Sequence, residues 1–354
     1  MCETAVDFSQ VYDVSSFGLP ANTGPGGAGG ACTNAMVLSL TKQPECTWIE
    51  LLQNMRGVLK EKSFTQIPQL SSSRALSLQS NFSVRHPQSN GRTRALYIGI
   101  NYVGQQGELR GCHNDVAMMK KYVEESHGFD PSNVMVLMDD GQHREPTHSN
   151  IMAGFKWLVE GAQVCILPLC DVLFSGFCVH PFLGILCLSC YRDFVSVLTS
   201  PLFVCLHAPF FKTVLLLGKL FHRNSDAILP KKKIQEGDSL FMHYSGHGGS
   251  MRDDNGDEED GKDETLVPVD YQNAGQIRDD VIFREVVSML PKGAQLTVVM
   301  DCCHSGSILD LPYNFEAGDS NMQQALTGGM PLMPPNGKFD WNKALKVRVL
   351  PGRS

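Results

Sequence analysis

The sequence predicts an α/β fold, a mostly parallel central sheet flanked by helices. Short apolar runs alternate with amphipathic segments across residues 94–163 and 236–310, and two of those runs end in small-residue loops that each carry one reactive side chain.

The elements follow in order. Ala95-Leu96-Tyr97-Ile98-Gly99-Ile100 is apolar throughout, as a strand buried on both faces must be. Asn114 or Asp115 is placed to cap the next helix, whose apolar positions Val116, Met119, Tyr122 and Val123 recur at helical spacing. Val134 to Met138 is a second strand, and a helix is expected from about Ser149 to Val159. Leu240 to Tyr244 and Thr297 to Met300 are further strands, with a helix from Val281 to Leu290 between them. Nearer the N-terminus, Thr47 to Lys60 reads as a helix with the stripe Leu51, Leu52, Met55, Val58 and Leu59, and Ser71 to Thr93 reads as a linker.

Composition excludes several classes. A chain of 354 residues with net charge -7 offers no basic surface for nucleic acid. Twelve cysteines would suit a disulfide framework in a small secreted chain, but Met1 to Asp7 lacks the basic and apolar regions of a signal peptide, so a reducing compartment, the cytoplasm, is expected. Gly24, Gly26 and Gly29 satisfy a G-x-G-x-x-G pattern without a leading strand or a ribose-binding acid, and no organic cofactor is expected.

The chemistry lies in Phe241-Met242-His243-Tyr244-Ser245-Gly246-His247-Gly248-Gly249 and Met300-Asp301-Cys302-Cys303-His304-Ser305-Gly306. A thiolate attacks a carbonyl carbon, so a cysteine nucleophile needs a base beside the sulfur. In parallel sheets, reactive groups collect at the carboxyl ends of strands, where His247 and Cys303 both fall. The glycines around His247 let backbone approach a substrate, and the Gly248 N–H is a candidate oxyanion donor, with the N–H of Cys303 as the second. A lone histidine in a glycine loop is more often a turn residue, and a cysteine after a strand is more often packing; the pairing of two such motifs favours a catalytic dyad.

Acidic residues surround these motifs. Asp301 lies two residues before Cys303, on the same side of an extended segment, and Asp115 follows the turn Gly111-Cys112-His113-Asn114. Carboxylates there attract a cationic side chain and repel an acidic one, which predicts a pocket for Arg or Lys. Asp253 to Glu264 is a dense carboxylate run suited to solvent or a cation; Glu258 stands where an EF-hand loop needs glycine.

The Tyr244-Ser245-Gly246-His247-Gly248 and Asp301-Cys302-Cys303-His304-Ser305-Gly306 blocks resemble those of metacaspases, caspase-like cysteine peptidases that cleave after Arg or Lys. The resemblance implies a caspase-like (caspase-hemoglobinase) fold, Cys303 as nucleophile and His247 as base, with His304 a bystander. It implies a substrate pocket from Cys112, Asp115, Ser245 and Asp301, and activating Ca2+ ligands at Asp263, Asp279, Asp280 and Asp310. The partners it implies are protein or peptide substrates with a basic residue before the cut; a monomer is expected. Ser15 to Pro20, the glycine run ending at Ala31-Cys32-Thr33, and Phe64 to Arg74 resemble the small C-terminal region of the family, here placed first, as in type III metacaspases. The family's small region usually opens with a strand and a Ser-Gly-Cys turn, and this chain is expected to begin after most of that. The domain reading is a small region at 1–74, a linker at 75–93, a catalytic region at 94–320 and a tail at 321–354.

Val164 to Gln235 departs from the family. It is rich in Leu, Phe, Val and Cys, without periodicity, and holds six of the twelve cysteines. Valine codons begin with GT and one glutamine codon ends in AG, so the segment fits a translated in-frame intron. Val164 to Cys190 and Phe194 to Leu217 are each long enough to span a membrane, but Asp171, His180, Arg192, Asp193 and several prolines weigh against it. An inactive scaffold or a membrane-associated variant is the competing reading that the insert raises.

Overall fold

The computed structural model describes residues 30–85, 91–160, 234–252, 262–302 and 308–337, together with the backbone of a strand at 5–11. The chain divides into two units, residues 1–164 with 233–354 and residues 165–232, and all described residues belong to the first.

Its core is a seven-stranded sheet. Strands β3 (Thr93–Gly99), β4 (Val134–Met138), β5 (Ser239–Ser245) and β9 (Gln295–Asp301) run parallel in the order β9-β5-β3-β4. Strand β1 (Ala5–Val11) lies parallel to β9 on its other side, so the N-terminal segment extends the catalytic sheet. Antiparallel β2 (Ile67–Ser72) and β10 (Tyr313–Glu316) finish that edge. A separate three-stranded sheet holds β6 (Gly248–Arg252), β7 (Lys262–Leu266) and β8 (Ile277–Arg278).

The continuous apolar runs have a direct cause in the layering. Ala95, Tyr97, Phe241 and Val299 face helices α1 (Ala31–Lys42), α2 (Trp48–Glu61) and α3 (Cys112–His127), whereas Leu96, Ile98, Leu240, Met242 and Val298 face α4 (His148–Leu158) and α5 (Asp279–Glu285). Successive residues point to opposite faces and both faces are covered, so no position has to be polar. Thr47 and Glu50 form a capping box at the start of α2, and Thr147 caps α4.

Several elements differ from the sequence-based expectation. Helix α3 begins at Cys112 with Gly111 at the cap position, so neither Asn114 nor Asp115 caps it; Asp115 sits in the first turn with its carboxylate turned to another segment. The helix expected over Val281 to Leu290 starts at Asp279 and ends at Glu285, followed by a 3-10 turn at Val287–Met289. The stretch read as a linker is packed: Leu76, Leu78, Phe82 and Val84 are buried, and the Phe82 ring meets Trp48 edge-on at 5.1 Å. Part of the C-terminal stretch is likewise structured, with a helix at Asp319–Leu326 and Met333 buried. Among the described residues no helix is long and apolar enough to cross a membrane. The two candidate spans and the glycine-rich motif lie outside the described residues.

Candidate active site

Strand register sets the floor of the site. Gly99 of β3 is opposite Ser245 of β5, and Ser245 is opposite Asp301 of β9, so the three strands deliver their last residues in one row. Helix α3 starts beside that row and contributes Cys112 and Asp115. The Ser245 Oγ–H donates to Asp115 Oδ2 at 2.7 Å, and Cys112, Asp115, Ser245 and Asp301 are all buried.

The start of α1 closes this cluster. The Gly30 N–H donates to both Asp115 oxygens, at 2.9 and 2.8 Å, and the Thr33 N–H donates to Asp301 Oδ2 at 2.8 Å. Thr33 Oγ1 in turn lies 3.0 Å from Nε2 of buried His243. Helix α1 has no side-chain cap of its own; two carboxylates from distant segments satisfy amides of its first turn and face the positive end of its dipole.

Electrostatically the pair is frustrated. Burial, and then the charge of Asp301, pushes the Asp115 carboxyl up to about 8. Burial also raises Asp301, against hydrogen bonds from Thr33 and Cys32. Near neutral pH such a pair retains a proton, and a cation would let both carboxylates ionise. Burial, then Asp115, raises the Cys112 thiol far above its ordinary value, so Cys112 is a neutral lining group.

His247 follows β5 by two residues and is half-buried. Its Nε2 lies 2.6 Å from the Gly107 carbonyl, which only accepts; Nε2 therefore carries the proton, and Nδ1 keeps the lone pair of the neutral ring. Gly248 opens β6, and Cys302, next after β9, is buried. Cys303 and His304 lie outside the described residues.

A second acidic group sits where β7 meets α5. Ligand oxygens of Asp263, Asp279 and Asp280 lie within 4.8 Å of one another. Burial, then the charge of Asp310, pushes the Asp279 carboxyl up to about 9, with Glu264 adding to the rise. Asp310 adopts a left-handed conformation with φ 47°. The Arg278 guanidinium pairs with Asp263, and Glu264 Oε2 is buried without a hydrogen-bond partner. Hard carboxylate oxygens, an orphaned oxygen and a carboxyl driven to hold its proton fit a divalent cation such as Ca2+. The acidic run at 253–261 lies outside the described residues.

The structure thus brings together Cys112, Asp115, Ser245 and Asp301, and separately Asp263, Asp279 and Asp280. Sequence reasoning missed Gly30, Thr33, Gly107 and Glu264. Glu264 closes the acidic run and carried a visible signal; the others meet their partners only through the fold.

An α/β sheet with a glycine-flanked histidine after β5, Asp301 at the end of adjacent β9 and buried Asp115 of α3 beside it defines the class of caspase-like cysteine peptidases. A family model described as the metacaspase peptidase C14 domain matches residues 93–181 and 229–312. Metacaspase III c of Phaeodactylum tricornutum is 36% identical over 351 residues, covering 97% of this chain and 80% of that protein. Metacaspase-1 of Ajellomyces capsulatus is 34% identical over 234 residues, 66% of this chain and 46% of its own length. Metacaspase-1 of Sclerotinia sclerotiorum is 34% identical over 235 residues, with 66% and 38% covered. The chain spans less than half the length of these two metacaspase-1 proteins. The chain belongs to the metacaspase family and is a cysteine peptidase.

Proposed function

We propose that the chain is a calcium-activated endopeptidase of the cytoplasm that cleaves protein substrates after Arg or Lys, with Cys303 as nucleophile and His247 as base. The observation that carries the specificity is the buried pair Asp115 and Asp301, whose joint ionisation calls for a cation. A guanidinium or ammonium entering between Cys112, Asp115, Ser245 and Asp301 would supply it, and an aspartyl side chain would add a third negative charge.

In the reaction, His247 Nδ1 takes the Cys303 thiol proton while Nε2–H stays on the Gly107 carbonyl. The thiolate attacks the carbonyl carbon, and the N–H groups of Gly248 and Cys303 receive the developing oxyanion. The imidazolium then protonates the leaving amine, and water activated by the same ring hydrolyses the acyl-enzyme. Asp263, Asp279, Asp280 and Asp310 would hold Ca2+, which supplies the positive charge that lets these carboxylates ionise together. The chain acts as a monomer, without nucleic acid or membrane partners.

The test is hydrolysis of arginyl, lysyl and aspartyl amides by the full chain with and without Ca2+, beside Cys303→Ala. Calcium-dependent turnover of the two basic substrates, abolished in the variant, is the expected result. Preference for the aspartyl amide, or activity without Cys303, overturns the reading.

A further inference from the structure

Two buried phenols grip the residue that carries the imidazole. The Tyr102 hydroxyl donates to the Val267 carbonyl at 2.6 Å, and with its proton so used it accepts from the His247 N–H at 3.0 Å. The Tyr244 hydroxyl donates to the His247 carbonyl at 2.7 Å and lies 3.4 Å from the Tyr102 hydroxyl. Both backbone polar groups of His247 thus meet this hydroxyl pair, the carbonyl also accepting from the Val267 N–H at 3.3 Å, and the Tyr102 ring lies against the imidazole, centroids 4.7 Å apart.

Three further features depend on this arrangement. Tyr102 adopts φ 54°, a left-handed conformation that a bulky residue rarely adopts and that persists only where surrounding structure enforces it. A Cβ on Gly246 would stand 3.0 Å from the Tyr244 hydroxyl and 3.2 Å from that of Tyr102, so glycine is what lets the chain pass between the phenols. Burial raises both hydroxyls far above the ordinary phenol range, and the grip stays protonated wherever the enzyme works.

We infer that Tyr102, through a hydroxyl pair shared with Tyr244, is a positioning residue that fixes the His247 backbone so that Nε2 of its ring stays on the Gly107 carbonyl and Nδ1 is oriented as the base. The inference rests on His247 being the base. A glycine-flanked histidine has a freely turning main chain unless something holds it. Tyr102 acts through the backbone and the imidazole it holds, and so bears on the chemical step more than on substrate binding.

The experiment uses the full chain with Ca2+ and an arginyl amide. Tyr102→Phe keeps the ring and removes the hydroxyl; kcat is expected to fall about 10- to 100-fold, the range for misplacing a catalytic group by about 1 Å, with KM within about twofold. The second readout is the pH profile of Cys303 alkylation by iodoacetamide. In the parent chain His247 sustains alkylation well below the pKa of an isolated thiol, and in the variant the profile moves toward that pKa. If His247→Ala leaves the parent's turnover and alkylation profile unchanged, the base assignment itself falls. If His247→Ala alters both and Tyr102→Phe retains the parent's kcat and profile, the positioning role alone falls, as it does if only KM changes. Should Tyr102→Phe lose its native circular dichroism, Gly246→Ala, which keeps both hydroxyls but forces them apart, is read by the same criteria; parental kcat and profile there overturn the inference.

Discussion

The backbone N–H of Gly30 donates to both oxygens of Asp115, 85 residues away, and so joins the first turn of α1 to the proposed substrate pocket. Gly30 also fits there only as glycine: a Cβ would lie 2.0 Å from Asp301 Oδ2 and 2.3 Å from its Cγ. Pocket geometry and the docking of the N-terminal helix are therefore one structural unit.

Gly30→Ala forces α1 away from the sheet and weakens its bonds to both carboxylates. The expected loss is about 1–3 kcal/mol of stability, the usual range for overpacking a buried site. It should accompany a raised KM for arginyl substrates. Thermal unfolding and steady-state kinetics on the full chain check this, and an unchanged melt with unchanged KM contradicts the coupling.

Asp115→Asn keeps the shape and removes the charge. Specificity for arginyl over a neutral substrate should drop about 10- to 100-fold, corresponding to the loss of one charge-assisted contact of about 1.5–3 kcal/mol. Stability should hold or rise above neutral pH, because one of two like charges beside each other has gone. Ratios of kcat/KM for the two substrates, together with melts at pH 7 and 9, decide it. A variant that stays equally selective for arginine shows that Asp115 does not read the side chain.

Proton linkage gives a third expectation. In the unfolded chain Asp115 titrates near the ordinary aspartate value, about 3.9; in the fold its carboxyl is pushed up to about 8. Its contribution to stability is therefore full below about pH 4, declines as pH rises by at most about 1.4 kcal/mol per unit, and levels off above about pH 8. Binding a guanidinium requires the ionised form, so the affinity of a small cationic inhibitor such as benzamidine should tighten with pH up to about 8 and then flatten. Inhibition constants across pH 5.5 to 9 test it, and an affinity flat over that range removes the linkage.

Much of this was legible in the sequence, for physical reasons that also mark what was not. The parallel strands announced themselves because residues such as Leu96 and Tyr97 are buried on opposite faces. Asp115 and Asp301 were readable because one stands at the start of a helix and the other ends a strand, where parallel sheets expose their functional groups, whereas Cys112 and Ser245 came only from the resemblance to metacaspases. Helix α1 escaped notice because its first-turn amides are satisfied by Asp115 and Asp301, and nothing near Gly30 announces that arrangement. The linker reading of 71–93 failed in part because Leu76, Leu78 and Phe82 are spaced among serines, and their burial depends on Trp48 and α2. Tyr102 read as an ordinary residue after a strand, since its role rests on meeting the backbone of His247, 145 residues on.

The acidic group at β7 and α5 yields the last prediction. Asp279 holds its proton up to about pH 9, from burial first and then from the charges of Asp310 and Glu264. Folding thus raises its pKa, and the sign is that of Asp115: without metal, its contribution to stability falls as pH climbs from about 4 toward 9. The proposed Ca2+ would bind the ionised carboxylates, so its affinity should strengthen with pH, and the rise in melting temperature it gives should be larger at pH 8.5 than at pH 6. At a hundredfold excess over its dissociation constant the gain is about 2.7 kcal/mol. Asp279→Asn should abolish most of that gain while leaving the metal-free protein as stable as the parent or more so, because it removes a carboxyl that the fold already prefers neutral. Thermal melts with Ca2+, Mg2+ and chelator separate the possibilities. Mg2+ demands compact octahedral geometry and should substitute poorly for Ca2+ in a carboxylate set drawn from three segments. Equal gains with both ions, or a full Ca2+ gain in the Asp279→Asn chain, would mean that these carboxylates form a solvated acidic face.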